Sequence, residues 1–224
     1  MDEKMNLTEE ARNVSASYHT TIRSDILHLC SERSGRILDV GGGSGETGAF
    51  VKKNMGGSYL TLIDRAEVSP AESVDFFASG AIEDPAIWEN LDTKQDTFDT
   101  ILCLDILEHL VDPWEVVKKC SERLAPGGSL IISLPNARNR KLTFPLFFKG
   151  RFELQNSGVM DRTHLRWFVK DTAKELATFG GLELTQFEGG WYMNRARRWE
   201  RLAKLGIAPG FLYQIYYMKA MRRE

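Results

Sequence analysis

The sequence predicts an α/β fold in which helices cover both faces of a doubly wound, mostly parallel sheet. Three observations predict it. Short apolar runs of strand length alternate with segments of helical period along most of the chain. One run, Arg36-Ile-Leu-Asp-Val40, passes straight into Gly41-Gly-Gly-Ser-Gly45 and then into Glu46 to Met55, which can start a helix. A second run, Ser58 to Asp64, ends in an acid at about the twenty-residue distance from the glycines expected of a ribose-binding carboxylate.

The first of these stretches organises the rest. Ile37, Leu38 and Val40 suit a strand buried on both faces. Asp39 stands near its end, and the backbone then loses its side chains at Gly41, Gly42, Gly43 and Gly45. Glycines there permit positive φ and close approach of a ligand to the main chain. The helix that follows turns its free N–H groups to the same space. A strand, a glycine elbow and a helix start describe a site for a nucleotide cofactor.

Two frames compete for the cofactor. Gly43-Ser-Gly45-Glu-Thr-Gly48 fits the G-x-G-x-x-G dinucleotide pattern and permits nicotinamide or flavin. Asp39-x-Gly41-x-Gly43-x-Gly45 resembles the first motif of the class I S-adenosylmethionine (SAM) methyltransferases. The strand-end acid favours SAM, whose ammonium and sulfonium it attracts, whereas it repels a pyrophosphate. Asp64 suits the ribose hydroxyls of either cofactor.

The remaining elements follow in order. Ala11 to about Arg33 has helical spacing and forms a leading helix; the methyltransferase resemblance implies that it covers the cofactor cleft, with Tyr18 and His19 as candidate lid residues. Val74 to Ser79 reads as a third strand, Ala86 to Asn90 as a short helix opened by Asp84-Pro85, and Phe98 to Leu104 as a fourth strand. Trp114 to Leu124 is helical, and Ala125-Pro-Gly-Gly128 turns into a fifth strand, Ser129 to Leu134. Asp171 caps a helix through Phe179, Gly180-Gly181 stops it, and Leu182 to Phe187 alternates as a sixth strand.

Phe98-Asp99 with Asp105-Ile-Leu-Glu-His-Leu-Val-Asp-Pro113, and the Pro-Gly-Gly turn, resemble the ubiquinone-type members of the same methyltransferase family. The resemblance implies a Rossmann-like seven-stranded mixed sheet with an insertion after strand five, and Phe211 to Met218 as its last, antiparallel strand. It implies a single domain over residues 1–224, with SAM as cofactor and S-adenosylhomocysteine as product. Asp39, Gly41, Gly43, Gly45 and Asp64 would hold SAM, joined by Arg65 near the adenine edge, Ala81 and Ile82 against the adenine, and Leu104 from strand four.

Methyl transfer from a sulfonium needs alignment of donor and acceptor and, for a hydroxyl, removal of a proton. The insertion from Pro135 to about Val169 is too long for a plain connection and, by the resemblance, forms the acceptor pocket. His164 is the candidate general base, because imidazole titrates near neutral pH. Asp161, three residues earlier, would orient it, with Glu108 and His109 assisting. Asp105, Glu108 and His109 fall at i, i+3 and i+4, one face of a helical turn. With His164 they resemble the metal site of plant small-RNA 2′-O-methyltransferases, so a divalent metal is the alternative to a metal-free site.

Composition narrows the acceptor. The 29 Lys and Arg against 31 Asp and Glu give a formal net charge of −2, which argues against a protein reliant on non-specific attraction to RNA or DNA. Strand four ends in Cys103-Leu104-Asp105 where an adenine-specific amino methyltransferase carries Asn-Pro-Pro-aromatic. Three scattered cysteines, Cys30, Cys103 and Cys120, suit a reducing compartment. With no membrane-length apolar run, the expected location is the cytoplasm. Arg195, Arg197, Arg198, Arg201 and Lys204 give one helix a basic face, solvated or meeting an anionic acceptor or membrane surface. The expected acceptor is a hydroxyl of a sugar, quinone or other small metabolite. An RNA 2′-O-methyltransferase, an NAD-binding oxidoreductase and a non-catalytic SAM-binding protein are the rival readings.

Overall fold

The computed structural model describes residues 21–31, 34–65, 69–91, 97–192, 201–203, 205–206 and 208–223. Seven strands, β1 (Arg36–Val40), β2 (Tyr59–Asp64), β3 (Phe76–Ser79), β4 (Phe98–Leu104), β5 (Leu124–Pro135), β6 (Glu183–Gly190) and β7 (Ile215–Met221), form one sheet. Their order is β3-β2-β1-β4-β5-β7-β6, with β1 to β5 parallel and β7 antiparallel to both neighbours. The expected seven-stranded mixed sheet is therefore present. The order reverses between β1 and β4, and an open sheet of this kind binds ligands in the crevice beyond the C-terminal ends of those strands. Asp39 and the glycines stand at that end of β1, and Leu104 and Asp105 at that end of β4.

Both faces of the central strands are buried, as their unbroken apolar runs require. Leu38 and Val40 of β1, Ile101 and Cys103 of β4, and Leu130, Ile132 and Leu134 of β5 enter one core. The alternate residues Ile37, Leu102 and Ile131 enter the other, with Ile26 and Leu29 from the leading segment. The period of two fixes this register, because a slip of one residue would exchange the faces. Each fully buried Ile or Leu contributes about 1.5–3 kcal/mol.

The helices positioned here are α1 (Glu46–Asn54), α2 (Pro85–Glu89), α3 (Pro113–Arg123), α4 (Arg140–Lys149), α5 (Lys170–Ala177) and α6 (Pro209–Leu212), and residues 201–203 are also helical. Asp84 caps α2 by accepting from the Ala86 N–H, and Asp112 caps α3 by accepting from the Glu115 N–H, each just before a proline in the first turn. No side chain caps α1 at Gly45, which is left-handed at φ 81°. That start is held from below, through Asp39.

Several elements differ from expectation. Residues 1–20, including Tyr18 and His19, lie outside the described residues, as do Arg195, Arg197, Arg198 and Lys204. The described part of the leading segment is a 3-10 helix, Ser24–Leu29, that still buries Ile26 and Leu29. β5 starts at Leu124, not Ser129, because the Pro-Gly-Gly stretch stays in the sheet: the Gly127 N–H donates to the Arg222 carbonyl and the Arg222 N–H to that of Gly128. Thr172, not Asp171, closes the start of α5, its hydroxyl accepting from the Val169 N–H. The final strand begins at Ile215, since Pro209 opens the short α6 first.

Two glycines test how the bend works. Gly41 (φ 73°) and Gly127 (φ 74°) share a left-handed backbone, but an added Cβ would meet Ile106 Cγ1 at 2.4 Å at Gly41 and open space at Gly127. Gly127→Ala should therefore lose roughly 1–2 kcal/mol of unfolding free energy from backbone strain alone. Gly41→Ala should lose about 1–3 kcal/mol more from overpacking, measured by urea denaturation of both variants.

Candidate active site

At the tip of β1 the glycine bend is fastened by two buried carboxylates. Asp39, 1% exposed, accepts from the Gly48 N–H at 3.1 Å, inside the first turn of α1. Asp64, 7% exposed at the tip of β2, accepts from the Gly43 N–H at 2.7 Å. Gly41, Gly43 and Gly45 all have positive φ, and the Gly41 N–H donates to the Ile63 carbonyl at 2.7 Å. Burial raises the Asp39 pKa to about 7, with the Gly48 N–H opposing and the charge of Asp64 adding to the rise. Two acids pressed into a bare backbone bend match a cationic nucleoside.

Around this bend the other predicted residues take distinct positions. Arg65 is exposed immediately after β2, and its charge reaches His109. Ala81 is exposed beyond β3. Ile82 turns its side chain into the core, while its carbonyl accepts from Trp88 Nε1 at 2.7 Å. Leu104 is half-buried at the tip of β4.

Beyond β4 the chain departs from the expected helix. Asp105 is left-handed at φ 51°, and a 3-10 turn, Leu107–His109, follows. Asp105 therefore does not share a face with Glu108 and His109. Its carboxylate instead pairs with Arg23 and accepts from the Tyr192 hydroxyl at 3.1 Å. Arg23 also forks onto Asp25 at 2.9 and 3.0 Å, and its backbone N–H donates to Thr47 Oγ1 at 3.1 Å. Burial opposes the Arg23 charge, but Asp105 and Asp25 outweigh it and drive its pKa upward. Nothing in the local pattern marked Arg23, Thr47 or Tyr192. They lie far apart in sequence, and only the fold joins them.

The insertion after β5 is closed at its root. Asn136 bridges to Phe168, and the Ala137 N–H donates to the Phe168 carbonyl at 2.9 Å. Asn136 Nδ2 donates to the carbonyls of Gly210 and Tyr213, and Asn139 Nδ2 to those of Leu212 and Tyr213. The returning limb is fixed to the turn after β4, where the Glu108 carbonyl accepts from the N–H groups of Leu165 (2.8 Å) and Arg166 (3.0 Å).

This seam sets His164 beside His109, with ring centroids 4.8 Å apart and edge to face. His164 Nδ1 lies 3.3 Å from the Val159 carbonyl, and His109 Nδ1 lies 3.2 Å from that of Thr163. A carbonyl only accepts, so each neutral ring carries its proton on Nδ1 and presents Nε2 as a lone pair. His164 Nε2 is 3.9 Å from Glu108 Oε1. Neither carboxylate oxygen of Glu108, 1% exposed, has a hydrogen-bond partner among the described residues. Burial raises the Glu108 pKa well above the carboxylate range, and Asp105 adds to the rise. Burial lowers both imidazoles. Asp161 was expected to orient His164, but its Oδ1 accepts from the Thr163 N–H and hydroxyl, an Asx turn. The Val159 carbonyl does that orienting.

One ligand atom each from Glu108, His109 and His164 all fall within 4.8 Å of one another. An oxygen and two imidazole nitrogens, with the carboxylate otherwise unpartnered, fit a divalent cation. Asp105 is not part of that set.

A methyltransferase-domain family model matches residues 15–186. The chain belongs to that methyltransferase family. This methyltransferase is 30% identical over 193 residues to a ubiquinone biosynthesis O-methyltransferase of Xanthomonas euvesicatoria pv. vesicatoria, covering 82% of this chain and 76% of the relative. An Idiomarina loihiensis protein of the same description is 36% identical over 110 residues, covering 47% of this chain and 44% of the relative. Among solved structures, a SAM-dependent methyltransferase from Mesorhizobium loti superposes with a TM-score of 0.59 at 16% identity, over 88% of this chain and 96% of the other. The N-methyltransferase NodS of Bradyrhizobium japonicum, in complex with S-adenosylhomocysteine, superposes at 0.56 with 15% identity, over 93% and 87%. The methyltransferase is thus a class I SAM-dependent enzyme, which removes the nicotinamide and non-catalytic readings. No helix among the described residues is long and apolar enough to cross a membrane.

The state of Asp39 gives a pH signature. Its pKa rises from 3.8 to about 7 on folding, so between those values the native state binds more protons than the unfolded chain. Stability of the cofactor-free enzyme should fall as pH rises from about 4 to about 7 and level off above it. Asp39→Asn, which keeps a carbonyl for Gly48, should flatten that slope in chemical denaturation at pH 5 and pH 8.

Proposed function

We propose that this methyltransferase moves the methyl group of SAM to a hydroxyl of a small metabolite, with His164 as general base. The supporting observation is that His164 and His109 each turn Nδ1 to a backbone carbonyl, which leaves Nε2 to accept a proton, with the buried Glu108 close by. SAM, when bound, would supply the methyl group for the acceptor oxygen, and His164 Nε2 would take the proton of the acceptor hydroxyl. Asp39 and Asp64, through the glycine bend they hold, keep the cofactor aligned, and Leu104 borders it from β4. Arg65, Ala81 and Ile82 edge the adenine side. His109 packs against His164 and holds its ring in place. The relatives named for ubiquinone biosynthesis favour a hydroxyl on a quinone-type ring as the first acceptor to test, ahead of sugars.

A divalent cation is the second reading, favoured by the Glu108 carboxylate, which has no hydrogen-bond partner among the described residues. Glu108, His109 and His164 would hold it, and when bound it would lower the pKa of an acceptor hydroxyl. The two readings separate on Glu108. As a neutral carboxyl it tolerates replacement by an amide of the same shape; as a cation ligand it does not.

The test is transfer of radiolabelled methyl from SAM to a panel of catechol and quinol precursors and to fractionated cell extract. His164→Ala should lower kcat by about 10²-fold or more, with KM for SAM nearly unchanged. Glu108→Gln should retain most activity, and a chelator should leave the wild-type rate intact. Loss of activity in both of the latter, with recovery on adding a divalent metal, selects the cation reading. An unchanged rate in His164→Ala refutes the base.

A further inference from the structure

Arg23 joins two walls of the crevice that the sheet itself leaves apart. Its backbone N–H donates to Thr47 Oγ1 at 3.1 Å, and that hydroxyl donates to the Thr21 carbonyl at 3.3 Å. Thr47 is buried in the first turn of α1, next to the Gly48 whose N–H Asp39 holds. The guanidinium reaches the other way, to Asp105 just beyond the tip of β4. It also forks onto Asp25 and lies 3.4 Å from the Tyr217 hydroxyl, which donates to Asp25 in turn.

Rings close over this charge. The guanidinium stands 5.5 Å from the centre of the Tyr192 ring and 5.8 Å from that of Tyr217. Tyr217 lies opposite Ser133 of β5, and Ser133 beside Leu104 of β4, so the network occupies the crevice end of the sheet. Only 11% of the Arg23 side chain and 7% of that of Asp105 is exposed. An exposed pair would fix little, but a buried planar fork with several partners holds one geometry. The flexible ammonium of a lysine could not serve Asp25 and Asp105 in that way.

We propose that Arg23 is a positioning residue for SAM, setting the separation of the first turn of α1 from the tip of β4. Its main chain pins the leading segment to one wall of the crevice, and its guanidinium pins the same segment to the other. Loss of the side chain frees the segment at one end, and the walls then have to be ordered at the expense of cofactor affinity. This role concerns the donor half alone and holds whichever group takes the acceptor's proton.

Titration calorimetry of the full chain with S-adenosylhomocysteine, beside thermal denaturation, tests this. Neither measurement needs an acceptor, so the outcome is separate from that of the methyl-transfer assay. Arg23→Met should weaken binding at least about tenfold. It also leaves Asp105 buried without its cation, so the melting temperature should fall. Arg23→Met combined with Asp105→Asn removes that stranded charge, while Asp25, its side chain 28% exposed, keeps access to water. The double variant should therefore regain most of the melting temperature and still bind S-adenosylhomocysteine about tenfold more weakly than the wild type. Wild-type affinity in Arg23→Met, or affinity that returns together with the melting temperature in the double variant, overturns the proposal and leaves Arg23 as a structural ion pair only.

Discussion

The crevice depends on two hydrogen bonds from bare backbone to buried acid. A loop of consecutive glycines has no side chains with which to hold itself, and glycine loses the most conformational freedom on ordering. Asp39 beneath α1 and Asp64 across from β2 supply what the loop lacks, each accepting one N–H. Asp39 is withdrawn from water, and that burial holds its carboxyl above the usual carboxylate range. The two groups that shape the bend are thus also the acids nearest to it.

A second joint brings the insertion after β5 to the tip of β4. The Glu108 carbonyl receives the backbone of Leu165 and Arg166 while its carboxylate faces His164. One residue thus stitches the insertion to the tip of β4 and contributes to the cluster the stitch creates. Its side chain is buried without a hydrogen bond among the described residues, a state that natural cores seldom keep unless the group has work to do. Arg23 pairs with both Asp105 and Asp25, so the left-handed residue Asp105 is anchored through its side chain.

Much of this could be read from the amino-acid order. β1, β2 and β4, the glycine bend and the acids at two strand tips are written in runs of adjacent residues, and local pattern carries them. The pairing of His164 with the 108–109 turn was anticipated from resemblance, and the contacts that achieve it run through main chain, which leaves no mark on residue type. Asp161 misled because a three-residue spacing suggests a helical neighbour; the segment turns instead, and its carboxylate closes on Thr163. Asp105 misled for a related reason: positive φ at a non-glycine residue removes the helical face that the i, i+3, i+4 count assumes. Arg23, distant from its partner by 82 positions, had no local cue at all.

The clasp between Asn136 and Phe168 has a consequence for how such enzymes diversify. Since the excursion leaves and rejoins the scaffold at one point, its interior can lengthen, shorten or change composition while the sheet beneath keeps its register. Natural selection, or a laboratory exchanging whole excursions between homologues, can revise this segment and leave the glycine bend and its two acids alone. The price of that freedom falls on a few anchors, the two asparagines and the carbonyl of Glu108, which every transplanted excursion would have to meet.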